Sequence, residues 1–188
     1  GQLRIIASDI SRSRLLVLPE DLRSYGIDPN RFPVAKAVRM SASLPFFFDP
    51  VIIRKRSDRP AGKLPFRYEM SYVVDGGILS NFPMWLFDKD REQPDGCRVP
   101  TIGMQLVGTN ERMPNPIHGP VTMLQALFAT MMDAHDQRYI EEHNRFRTVK
   151  IPTLGVSTTE FSITPEKSRQ LYESGRKAAR QFFDRWSL

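Results

Sequence analysis

The stretch Tyr72-Val73-Val74-Asp75-Gly76-Gly77-Ile78-Leu79-Ser80-Asn81-Phe82-Pro83 limits what this chain can fold into. An apolar run of strand type ends on a carboxylate. Two glycines and a polar turn follow, and proline then marks the opening of a new helix. That order puts Asp75 where a buried strand reaches a surface, with nothing bulky directly after it. By itself an Asp-Gly-Gly triplet reads as a turn, because glycine supplies positive φ and aspartate bonds nearby amides. The carboxyl end of a strand is also where α/β sheets bind ligands. Asp75 is therefore the leading candidate for chemistry, with Gly76 and Gly77 expected to leave room for a substrate to approach it.

The rest of the chain supplies strands and helices in alternation. Leu3 to Ala7 and Leu15 to Leu18 read as short strands around the polar turn Ser11-Arg12-Ser13. Pro19-Glu20-Asp21 suits a first helical turn, stopped by Gly26. Apolar residues at Val34, Ala37, Val38 and Ala42 predict a helix over 33–43, ended by Leu44-Pro45 because the residue before proline leaves the α region. Val51 to Ile53, Phe66 to Val74, Thr101 to Val107 and Phe146 to Ile151 read as strands. The charged segment Arg54 to Lys63 reads as a hairpin-like loop, and Pro83 to Phe87 as a short helix. Val121 to about Arg145, with Leu124, Leu127, Phe128 and Met131 in a stripe, is the longest expected helix. A last helix is expected from the cap Thr164-Pro165-Glu166 to about Trp186, with Leu171, Ala178, Phe182 and Trp186 near one face. The alternation argues an α/β fold with a mostly parallel central sheet flanked by helices.

Composition narrows the class. A chain of 188 residues has room for one domain with a real core, and 40% apolar with 26% charged residues is globular usage. The lone Cys97 excludes an internal disulfide and suits a reducing, cytoplasmic compartment. No run approaches the ~18 apolar residues that span a bilayer. The first residues lack the charged-then-apolar pattern of a signal peptide. A net charge of +6 favours anionic partners, so peripheral contact with an anionic membrane surface is expected. No nucleic-acid motif accompanies the charge, and nucleic acid is not an expected partner.

Other reactive residues are weaker candidates. Ser41 and Ser43 lie at a helix end, where hydroxyls bond backbone carbonyls. Ser174-Gly175-Arg176-Lys177 fits S-x-x-K inside a charged helix without companion motifs. His135 and His143 are eight apart, not the four of a zinc helix, and His118 stands alone, so no metal is expected. The basic residues Arg54, Lys55, Arg56 and Arg59, and Arg176, Lys177, Arg180 and Arg185, read as solvated surface. A lipid-binding protein could use them to hold anionic head groups, with Phe46 to Phe48 and Trp85 easing the approach.

The segment Ala37-Val38-Arg39-Met40-Ser41-Ala42-Ser43-Leu44-Pro45 matches A-x-R-x-S-x-x-x-P. An aromatic-Pro-Val segment (Phe48 to Val51), a strand, Asp75-Gly76-Gly77 and Asn81-Phe82-Pro83 follow in order. Together with the strand Ile5 to Ile10, this resembles the patatin-like phospholipase family, clearly from Leu3 to about Phe87 and through element order alone beyond. The resemblance implies a patatin-like α/β fold and a serine acyl hydrolase acting on a lipid or ester substrate without a cofactor. In that family a serine in G-x-S-x-G attacks the ester, a glycine-rich turn forms the oxyanion hole, and the aspartate of D-G-G/A activates the serine. Only the aspartate carries over, onto Asp75. No G-x-S-x-G occurs in the 188 residues, and Gly155-Val156-Ser157-Thr158-Thr159 has only its first half. Residues 1–188 are therefore expected to be the C-terminal part of a single such domain, the nucleophile residing in a portion N-terminal to them and the chain alone inactive. The alternative is a non-catalytic module that binds lipid or protein.

Overall fold

Only residues 10–13 separate the strands β1 (Ile5–Asp9) and β2 (Arg14–Leu18), too short a link for anything but an antiparallel return. In the computed structural model, which describes residues 3–54, 66–88, 100–108, 117–127, 130, 145–156 and 160–186, β1 and β2 pair in that sense from Ile5↔Leu18 to Asp9↔Arg14. Ser13 turns the corner with φ 51°. The chain divides into two units, Gly1–Pro83 with Ile117–Asp136, and Met84–Pro116 with Gln137–Leu188.

The first unit holds a four-stranded sheet in the order β2-β1-β4-β3, with β3 at Val51–Arg54 and β4 at Met70–Asp75. Every pairing in it is antiparallel. The expectation of a mostly parallel central sheet is corrected here. Alternating strands and helices indicate the α/β class, but strand direction depends on the links, and the β1–β2 link is hairpin-short. The hairpin-like loop after Arg54 falls mainly on residues outside those described.

One face of this sheet builds the core. Ala7, Leu16, Leu18, Ile53 and Val73 pack with Leu22 and Tyr25 of the 3-10 turn Glu20–Tyr25, and with Ala37 and Met40 of helix α1 (Val34–Ser41). Burying one such leucine stabilises the fold by about 1.5–3 kcal/mol. Gly26, at φ 72°, ends the 3-10 turn and donates its N–H back to Arg23 O and Leu22 O, the stop its sequence position predicts. Helix α1 ends two residues short of the expected Ser43, with the Ala42 N–H bonded to Val38 O.

The second unit contains the one parallel pair among the described residues, β5 (Gly103–Val107) with β6 (Thr148–Pro152), in register from Gly103↔Thr148 to Val107↔Pro152. A parallel pair needs a crossover of a dozen or more residues, and 108–147 provide it. Trp85–Asp88 forms the short helix α2, and residues 120–127 are helical and count as α3, in the first unit. Leu124 and Leu127 of the expected α3 stripe are exposed. The last helix, α4 (Pro165–Phe183), opens as predicted, with Thr164 Oγ1 accepting the Lys167 N–H at 3.2 Å and proline in the first turn. It lies on β6, where Ser174 Oγ donates to Pro152 O at 2.9 Å.

Candidate active site

Asp75 is the last residue of β4, opposite Ala7 of β1, and caps the 3-10 turn Gly76–Ile78. Its carboxylate is partly exposed, and Oδ1 accepts the Gly77 N–H at 2.7 Å. Among the described residues no serine, threonine or cysteine side chain bonds to it. Its own N–H donates to Ser43 O at 3.0 Å. Ser43 is fully buried, and its hydroxyl donates back to Arg39 O at 2.6 Å. Two segments more than thirty residues apart in sequence thus meet: the end of α1 fixes the backbone at which the carboxylate emerges.

Burial pushes the Asp75 carboxyl above the ordinary carboxylate range, and the Gly77 N–H pulls it back only in part. Desolvation disfavours the charged form, while a hydrogen bond to the anion favours it. A carboxylate with one oxygen tied down and a raised pKa is a better proton acceptor than a solvated one.

The two glycines have separate tasks. A Cβ on Gly76 would overlap the carbonyl oxygen of Ile6 and lie 2.6 Å from its carbonyl carbon. The space that a side chain at Gly76 would occupy is therefore taken by the backbone of β1. Close strand-to-turn contact is what requires glycine there. Gly77 is buried and contributes its N–H to Asp75.

A second carboxylate, Asp9 at the end of β1, was not marked by sequence as special. It is fully buried and accepts the N–H groups of Ser11 (2.9 Å) and Arg12 (3.1 Å) and the Tyr25 hydroxyl. Arg12 adds a cation 3.6 Å from its Oδ2. The Tyr25 hydroxyl is pushed up to about 12, first by burial and then by its bond to Asp9 and the charge there. Asp9 pairs with Val73, two residues along β1 from the Ala7–Asp75 pair, which is roughly 7 Å of strand. With its acceptor positions filled, Asp9 closes the β1–β2 hairpin. The polar run Ser11-Arg12-Ser13, two residues after Asp9, carried that turn signal in the sequence.

The remaining candidates have structural duties or lie elsewhere. Ser174 of the S-x-x-K match bonds the end of β6, and Arg54 pairs with Glu69 at 2.9 Å. His135, His143, Cys97, Lys55, Arg56 and Arg59 lie outside the described residues. Among the described residues no cluster of His, Cys, Asp and Glu could hold a metal ion, and no helix is long and apolar enough to cross a membrane.

Comparison with known proteins finds a family model that matches part of the chain. Residues 5–88 match the model of patatin-like phospholipases, close to the limits over which the motifs agree. The chain is 39% identical over 188 residues to the uncharacterized protein YqhO of Bacillus subtilis (strain 168), covering 59% of its length. It is 26% identical over 155 residues, 79% of the chain, to an uncharacterized protein of Acanthamoeba polyphaga mimivirus, covering 45% of that protein. The chain thus spans about half the length of the curated relatives it matches.

Proposed function

We propose, from the match of residues 5–88 to the patatin-like phospholipases, that the longer protein is a lipid hydrolase that cleaves lipid acyl esters with Asp75 as general base. Residues 1–188 then form the C-terminal part of one hydrolase domain, and the attacking serine comes from polypeptide outside them. The observation that carries this reading is the Asp75 carboxylate itself. It stands at a strand end, partly exposed, with one oxygen held by Gly77 and its backbone tied to Ser43.

In this scheme the serine Oγ adds to the ester carbonyl carbon as its proton passes to Asp75. The tetrahedral intermediate expels the alcohol, which takes the proton back. Water then attacks the acyl-enzyme, again giving a proton to Asp75, and the fatty acid leaves as the serine is reprotonated. A hydroxyl is a poor nucleophile until a positioned base accepts its proton, which is the work assigned to Asp75.

In the longer protein, Asp75→Asn is expected to lower the hydrolysis of short-chain nitrophenyl esters by roughly a hundred- to ten-thousandfold. Wild-type turnover in that variant contradicts the assignment. The fold should survive the change. A raised folded-state pKa means that ionising Asp75 costs stability, absent below the unfolded value and fully present above the folded one. Asparagine does not ionise, so the melting temperature at neutral pH should be equal or higher.

The exposed aromatic turn Phe46–Phe48 favours a second reading, a non-catalytic module that binds lipid or protein. A full-length protein that binds vesicles and cleaves no ester would support it.

A further inference from the structure

Helix α1 buries Ala37 and Met40, yet leaves Val34, Ala35, Val38 and Ala42 exposed on its other side. Val34 and Val38 stand one turn apart, 58% and 50% exposed. The chain then presents Phe46, Phe47 and Phe48 in succession, all exposed. Phe46 sits at φ 70°, a left-handed conformation that is an outlier for a bulky aromatic, while the N–H groups of Phe47 and Phe48 both donate to Leu44 O. A tight turn thus holds three rings at the surface.

The charged side chains of α1 and of the Pro29–Arg31 turn before it have one sign, and the exposed Asp49 directly follows the three rings. No Asp or Glu occurs between Asp28 and Asp49, while Arg31, Lys36 and Arg39 do, all exposed. The Lys36 ammonium stands 5.5 Å from the Phe32 ring centroid and the Arg39 guanidinium 5.7 Å from that of Phe48. The result is an apolar centre with a mainly cationic rim.

We propose that α1 and the Phe46–Phe48 turn form a docking surface for an anionic lipid bilayer. Apolar side chains entering the interface, with lysine and arginine at head-group level, are how a non-spanning helix holds to a membrane. Self-association through this face would set Arg31, Lys36 and Arg39 against their own copies, with Asp49 as the adjoining carboxylate. The surface also adjoins the candidate base, since Ser43 lies between α1 and the turn and accepts the Asp75 N–H. The kind of surface rests on the lipid-hydrolase reading. Docking is read without turnover, so its failure and the failure of catalysis are separate results.

The test is flotation of the longer protein with vesicles of phosphatidylcholine, and with vesicles in which a third of the lipid is phosphatidylglycerol. Binding should be strong to the anionic vesicles, weak to the neutral ones, and should fall as salt rises. The double variants Val38→Glu/Phe47→Ser and Lys36→Glu/Arg39→Glu should each lose roughly tenfold or more in binding to anionic vesicles. Their circular dichroism should be unchanged, because these side chains are exposed. Equal binding to both vesicles, or anionic binding that survives either double variant, overturns the proposal. So does a wild-type dimer in sedimentation that Val38→Glu/Phe47→Ser dissociates, because the face then belongs to a second copy.

Discussion

The two units solve the problem of covering a sheet differently. In the first, β1, β2 and β4 lie under a 3-10 turn and α1, and Ala7, Leu16, Leu18, Leu22, Met40 and Val73 are fully buried. In the second, α4 covers β6 without burying any residue of its own, and Met104 and Leu106 of β5 are 64% and 69% exposed. Parallel sheets occur with both faces covered, and a two-stranded sheet is marginal alone. The contrast teaches where rigidity lies. The candidate base stands on the well-packed unit, where a carboxylate can be held in place.

Matched truncations sharpen the comparison. Leu16→Ala should cost about 2–5 kcal/mol in denaturant unfolding, since it removes a fully buried side chain from a closed core. Thr164→Ala should cost about 1 kcal/mol, the usual loss of an N-cap, read as fraying of α4 by hydrogen exchange. Leu106→Ala should change stability by less than about 0.5 kcal/mol. If Leu106→Ala instead costs as much as Leu16→Ala, β5 is covered in solution and the contrast fails.

Local chemistry was legible in the sequence. Gly26 as a stop, Thr164-Pro165 as a cap, the end of α1 before Leu44-Pro45, and Asp75 at a strand end each follow from a few adjacent residues. What the sequence hid depends on pairing across distance. The direction of β4 relative to β1 follows from the register Ala7↔Asp75, which periodicity does not encode. The need for glycine at 76 comes from Ile6, and the bond that fixes Asp75 comes from a backbone carbonyl at Ser43. The sheet could have been foreseen in part, because four residues between Asp9 and Arg14 already forbid a parallel crossover.

The central claim is that Asp75 takes the proton in catalysis, and the pH dependence of kcat/KM for the longer protein on a nitrophenyl ester tests it most directly. The base must be ionised, and burial raises its pKa. Activity should therefore fall as pH drops through a single ionisation lying above the ordinary carboxylate range, and this limb should be absent from the residual activity of Asp75→Asn. An acid limb that persists unchanged in Asp75→Asn would contradict the account.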